Sequence, residues 1–216
     1  MSATNSAHRA EQPMQTSNTL APPRDAGSAI ANPAALGLGA FAMTTFVLSV
    51  TNAGLVDKTA GPIVLALALF YGGLAQLLAG MWEFRKGNTF GALAFSSFGA
   101  FWLSYFYYVS FVAGGLAAIH EAGPATGLFL LAWTIFTGYM MVAAFRESIA
   151  VLGVFVFLFL TFVALTIGAF ADNSAFNMIG GWLGIVTALI AWYTSFAIVI
   201  NSTFKRTVLA LGPLSK

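Results

Sequence analysis

The sequence predicts an all-α integral membrane protein, a bundle of six transmembrane helices with both termini on the cytoplasmic side. Three observations carry this. Between Asp25 and Lys205 the chain holds six charge-free runs, 26–56, 59–82, 87–120, 122–145, 148–171 and 173–204. Each is longer than the ~20 apolar residues a helix needs to cross a bilayer's hydrocarbon core. Second, 59% of residues are hydrophobic and 7% charged, with a mean hydropathy of +0.85, where a soluble domain carries ~25% charge. Third, the basic residues alternate in side: Arg9, Arg24, Arg85, Lys86, Arg146, Lys205, Arg206 and Lys216 fall on one side of the bundle and only Lys58 on the other. Positive residues stay on the cytoplasmic side during insertion.

Taken in order, the expected divisions are a disordered cytoplasmic tail over 1–31, a transmembrane domain over 32–204 and a cytoplasmic C-terminal tail over 205–216. The first tail mixes Ser, Thr, Asn, Gln, Ala and Pro without apolar period, and it lacks the apolar core of a signal peptide. The spacing predicts spans over 34–52, 62–82, 89–113, 124–145, 149–170 and 177–201. All are helical, because backbone polar groups in lipid must be paired internally. The breaks carry turn chemistry: Asp57-Lys58 before Gly61-Pro62, Gly87-Asn88, Gly123-Pro124 and Asp172-Asn173-Ser174. Pro62 and Pro124 fall near first turns, where the missing N–H costs nothing. Small residues four apart, Gly180/Gly184, Ala75/Ala79 and Ala164/Gly168, suit close helix crossings, although glycine and alanine are also common in membrane helices generally.

The composition removes several function classes. Without cysteine there is no disulfide, thiolate metal site or thiol nucleophile, and the two histidines, His8 and His120, lie in the tail and a loop. No cofactor and no metal site are expected. No span contains the lysine a retinal Schiff base needs, nor a nucleophile–base pair for an intramembrane enzyme. A net charge of +2 gives no footing for nucleic acid. What the spans do contain is uncharged polar groups, among them Thr44 and Gln76, with 21 Phe around them. A passage lined by hydroxyls, amides and rings suits a small polar solute. A single Ser or Thr bonds more often to its own helix, whereas a mid-membrane amide such as Gln76 either joins helices or faces water. Asn32-Pro33-Ala34 opens the first span as a cap followed by a pre-shaped proline, and such a helix end attracts carboxylates. An aquaporin needs two Asn-Pro-Ala copies, and this chain has one.

Asn32-Pro33-Ala34-Ala35-Leu36-Gly37-Leu38 resembles the signature Asn-Pro-Ala-Pro-Leu-Gly-Leu of the acetate uptake transporters, or succinate–acetate permeases, with Ala35 in place of the second proline. Phe70-Tyr71-Gly72-Gly73-Leu74-Ala75-Gln76, Ala79-Gly80 followed by Glu83, and Gly87-Asn88-Thr89-Phe90-Gly91 are similar to that family's next patterns. Ser97-Phe98-Gly99-Ala100-Phe101-Trp102 is similar to Ser-Tyr-Gly-x-Phe-Trp, and Ala210-Leu211-Gly212 fits the end. The resemblance implies a homo-hexamer with one pore per protomer in the plasma or bacterial inner membrane, passing acetate and related short carboxylates such as succinate. It implies an apolar constriction at Phe41, Phe98 and Leu158, with Ala191 near the same region. Phe98 stands where the family usually has tyrosine, so a hydroxyl is missing from the gate.

The pathway residues expected from motif and chemistry are Asn32, Pro33, Leu36, Gly37, Leu38, Thr44, Tyr71, Gln76, Asn88, Thr89 and Ala191. Asn32, Asn88 and Thr89 are expected to gather the anion. Glu83 is a candidate proton donor at the mouth, set against the plainer reading of a helix-end charge paired with Arg85 and Lys86. Two other readings stay open: a formate- or nitrite-like anion channel, which would be expected to show a filter histidine, and a non-transporting membrane scaffold.

Overall fold

The structure is a computed structural model, and it describes residues 30–118 and 120–214. The expected N-terminal tail therefore lies, apart from its last two residues, outside the described residues. Six helices are long and apolar enough to cross a membrane: α1 (Ala34–Asn52), α2 (Lys58–Lys86), α3 (Thr89–Ala118), α4 (Ala122–Ala144), α5 (Ile149–Phe170) and α6 (Ser174–Phe204). Each begins and ends by local chemistry. Asn88 Oδ1 accepts Gly91 N–H at 3.1 Å, Ser148 Oγ accepts Val151 N–H at 3.2 Å and Asn173 Oδ1 accepts Ala175 N–H at 2.9 Å, capping α3, α5 and α6. Gly87, at φ +79°, closes α2 in the left-handed conformation that glycine adopts freely.

Three spans are longer than their sequence suggests. α2 continues past Glu83 to Lys86, α3 runs on through Gly114 and Gly115, and α6 gains residues at both ends. Two helices also contain a π-helical stretch, Phe70–Ala75 in α2 and Tyr108–Val112 in α3. Such stretches mark functional sites in many helices.

α1 packs most closely on α6, α6 on α5, α5 on α4 and α2 on α3, with the π segment of α2 against α1. Small residues make the α1–α6 crossing. A Cβ on Gly184 would fall on Ser49, and one on Gly181 on the Ala53 backbone. Gly180 meets Leu165 of α5 instead, at 2.6 Å from where its Cβ would be. α3 is joined to α4 and α5 through rings: Phe101 lies 5.1 Å from Trp133, 5.7 Å from Phe129 and 5.4 Å from Phe162. Van der Waals packing of this kind holds helices together where lipid supplies no hydrophobic drive. The outer surface is correspondingly apolar, with Ile63, Phe70, Phe111, Leu128, Ile135 and Val142 all exposed.

The C-terminal segment folds back over the basic end of the bundle. Lys205 ends α6 at φ 55°, and Asn201 brackets the returning strand, its Oδ1 accepting Val208 and Leu209 N–H while its Nδ2 donates to Leu209 O. Tyr193 Oη donates to Ala210 O at 2.7 Å. Ile149 N–H donates to Gly212 O and Leu214 N–H to Glu147 O, with Ser148 and Pro213 bridged.

Candidate functional site

Two cavities enter the bundle from opposite ends. The larger, about 690 Å³, opens at the end bearing Lys58 and Asp172 and is lined deeper in by Thr45, Ser49, Phe101, Trp102, Tyr105, Thr161 and Phe162. The smaller, about 270 Å³, opens at the basic end between Asn32, Lys86, Asn88, Glu147 and Leu211. It narrows past Leu38, Gln76, Phe95 and Phe155. Phe41 and Leu158 line both. The partition between the cavities is therefore one α1 ring and one α5 side chain, 4% and 3% exposed. Phe98 closes it on the basic side, with its ring 5.7 Å from Phe41, 6.1 Å from Phe155 and 5.3 Å from Phe136. An unpaired charge in such a neck would lose its hydration with no compensating partner.

Of the expected residues, the structure gathers Asn32, Leu38, Phe41, Gln76, Asn88, Phe98 and Leu158 around the basic-end cavity. The rest are placed otherwise. Pro33 is buried at the start of α1, and Leu36 is 43% exposed on the outside. Gly37 lies under the Phe95 ring. Thr44 Oγ1 donates back to Ala40 O at 2.9 Å, and its side chain packs against Gly72. The Tyr71 hydroxyl lies near Gly39, Ala191 sits fully buried in the central core cluster, and Thr89 is exposed at the first turn of α3. Asn32 and Asn88 already have partners: Asn32 Oδ1 accepts Ala34 N–H and Lys86 Nζ, and Asn88 Nδ2 donates to Glu83 Oε2 at 2.9 Å.

Glu83 corrects the plainer sequence reading. It is not a solvated helix-end charge paired with Arg85 or Lys86 but is fully buried within α2, and the Asn88 amide is the partner of its Oε2. Its Oε1 has no partner, nor has Gln76 Oε1 on the same helix. Buried unpaired polar atoms are costly and mark places where something else binds or moves. The larger cavity carries two more, Thr45 Oγ1 and Trp102 Nε1.

Sequence reasoning missed Glu147. It lines the basic-end cavity, half-buried, and burial together with the negative charge of Glu83 pushes its carboxyl above the usual range. Its only sequence signal is a charge in a short loop, beside Arg146. Among the described residues no group of three or more acidic or histidine side chains could hold a metal.

A six-helix membrane protein with a water-sized cavity at each end and an apolar neck between them has the architecture of a conduit for small solutes. Residues 15–215 match the GPR1/FUN34/yaaH family, and the chain belongs to it. It is 44% identical over 189 residues to acetate permease A of Emericella nidulans, covering 80% of this chain and 63% of that protein. It is 39% identical over 183 residues to the succinate-acetate/proton symporter SatP of Escherichia coli, covering 85% and 96%. A solved structure of the bacterial acetate channel SatP superposes with a TM-score of 0.75 at 37% identity, over 85% of this chain and 99% of that one. The chain thus spans 63% of the fungal permease but nearly the whole length of the bacterial relatives.

Proposed function

We propose that this protein is a membrane channel or transporter for acetate and related short carboxylates, one conduit per protomer, with both termini in the cytoplasm. The observation that carries the reading is the single shared partition: two cavities from opposite ends meet at Phe41 and Leu158. The names of the 39% identical bacterial symporter and of the superposed channel supply the solute class. Lys86 at the basic mouth raises the local concentration of anions. Phe41, Phe98 and Leu158 then act as the constriction, excluding water and larger acids by size. An acetate-like acid titrates near the ~4.3 of a glutamate side chain, so at neutral pH it arrives as the anion. Since an anion crosses an apolar neck at high cost, passage coupled to a proton is favoured. The hexamer follows from the same family resemblance.

Labelled acetate, succinate, lactate and formate flux into proteoliposomes at pH 5 and pH 8 tests the reading. Acetate flux above that of empty vesicles is expected. No flux for any of the four acids would instead leave a membrane scaffold. A reporter fused after Lys216 and native mass spectrometry in detergent test orientation and assembly. An external reporter or a monomer would refute those two parts.

A further inference from the structure

Glu147 is held where a mouth residue could exchange protons with a solute. It lies in the loop between α4 and α5, and the C-terminal strap covers it: Leu214 N–H donates to its carbonyl at 2.9 Å, and the neighbouring Ile149 N–H donates to Gly212 O at 2.7 Å. Leu211 of that strap lines the cavity with it. From α2, the buried Glu83 faces the same region, fixed by Asn88. The other charges around it are Lys86, which shares the cavity, and the exposed Arg146 next in sequence. Residues 207–214 of the strap, like α1 and α6, bring no charge. Burial and Glu83 both raise the Glu147 carboxyl, so that it holds its proton to higher pH than an ordinary glutamate.

A second, independent observation points to the protonation state of the ligand. Gln76, 1% exposed and lining this cavity, has an Oε1 with no donor. A carboxylate anion has no hydrogen to give that oxygen. A protonated carboxylic acid has one, and its carbonyl remains free to accept.

We propose that Glu147 is the proton-exchange site of the basic-end cavity, and that this cavity takes a short carboxylic acid in its neutral form with the acid hydroxyl on Gln76 Oε1. The assignment rests on the carboxylate-conduit reading above. In the step itself, the O–H bond of the Glu147 carboxyl breaks as a new O–H bond forms on the solute carboxylate. The negative charge moves to Glu147, where Lys86 lies in the same cavity, and a proton from water at the mouth restores the acid. The neutral solute then meets the Phe41–Leu158 neck without a charge to desolvate.

The test compares wild type, Glu147→Gln and Glu83→Gln in proteoliposomes, with acetate flux corrected for empty vesicles and a potassium-diffusion potential of either sign imposed. Wild-type flux is expected to ignore the sign of the potential and to fall as pH rises through the Glu147 titration. Glu147→Gln leaves only anion passage, so its residual flux changes about tenfold on reversing the potential and loses the pH step. Glu83→Gln removes the neighbouring charge and moves the midpoint of the pH step to lower pH. Should Glu147→Gln not assemble, the Glu83→Gln midpoint decides alone. Wild-type flux that follows the potential, or variants with the wild-type pH profile, would overturn the proposal while leaving transport intact. Absence of acetate flux in wild type would overturn the transport reading and this inference with it.

Discussion

Leu158→Ala gives the most direct test of the neck. The side chain is 3% exposed and packs in the core cluster with Phe41, Phe98 and Phe155, yet it also borders both cavities. Truncation removes three carbon groups, worth roughly 2.4 kcal/mol at ~0.8 kcal/mol each. Leu→Ala changes in closed cores cost ~2–5 kcal/mol because the new void is extra. Here the space opens into existing cavities, so the loss should stay near the lower bound and the fold should survive. The flux effect is larger in relative terms. A pocket distinguishes one added methylene by ~1–3 kcal/mol, or about 10–200-fold, and lactate exceeds acetate by one hydroxyl-bearing carbon. Removing Leu158 should therefore raise the lactate-to-acetate flux ratio about tenfold or more. The assay is competing uptake of the two labelled acids by proteoliposomes, normalised to inserted protein. Ile135→Ala, on the outer face of α4 at 64% exposure, is the control that should leave the ratio unchanged. A ratio within about twofold of wild type, in protein that melts as a folded species, would refute the assignment of Leu158 to the neck.

Other positions give independent tests. Gly181→Ala places a methyl on the Ala53 backbone and should cost ~1–3 kcal/mol through a spread α1–α6 crossing, read as a lower melting temperature in detergent. Gly114→Ala, with nothing within 4 Å of its Cβ position, should not. Asn201→Ala removes the three hydrogen bonds that pin Val208 and Leu209, at ~0.5–1.5 kcal/mol each. Faster hydrogen exchange confined to residues 206–214 is the expected result. Glu147 makes stability depend on pH in a definite sense. Because its carboxyl is raised in the folded state, its contribution is complete below the ordinary glutamate value and is lost as pH rises through the raised one. The melting temperature of wild type should therefore fall over that window, and Glu147→Gln should remove that part of the fall.

The six spans were legible because the cost of a charge in hydrocarbon leaves a mark that needs no tertiary information. Their ends were less so, for reasons particular to each. The expected second span stopped at 82 because Glu83 reads as a boundary, but in the fold Asn88 meets its Oε2 and the helix carries on to Lys86. Gly114 and Gly115 read as a terminus, although membrane helices tolerate glycine well, and α3 runs to Ala118. Neither π segment has a signature in composition, since Phe70–Ala75 and Tyr108–Val112 differ from an α-helix only in hydrogen-bond register. Within the site, Phe41, Phe98 and Leu158 came from motif resemblance, not from any physical pattern. Glu147 could not be found at all. What buries it is Leu214 and what charges its surroundings is Glu83, each more than sixty positions away in sequence.

The unpaired polar atoms divide by chemistry across the neck. On the far side, Trp102 Nε1 and Thr45 Oγ1 are hydrogen-bond donors without acceptors, which suits a carboxylate. On the basic side, Gln76 Oε1 is an acceptor without a donor, which suits a carboxylic acid. A solute satisfying both in turn must change its protonation between them, and only Phe41, Phe98 and Leu158 stand in that interval. None of the three carries a polar atom, and Phe98 lacks the hydroxyl that a tyrosine would have placed there. The proton must then be exchanged before or after the neck, never within it. The side with a half-buried carboxyl lining its cavity is the side of Glu147. Trp102→Phe separates the two halves of this argument: it should weaken acetate entry from the far side, raising the half-saturating concentration there, while leaving the pH midpoint set by Glu147 where it was. A shifted midpoint with unchanged entry would show that the two cavities do not divide the work in this way.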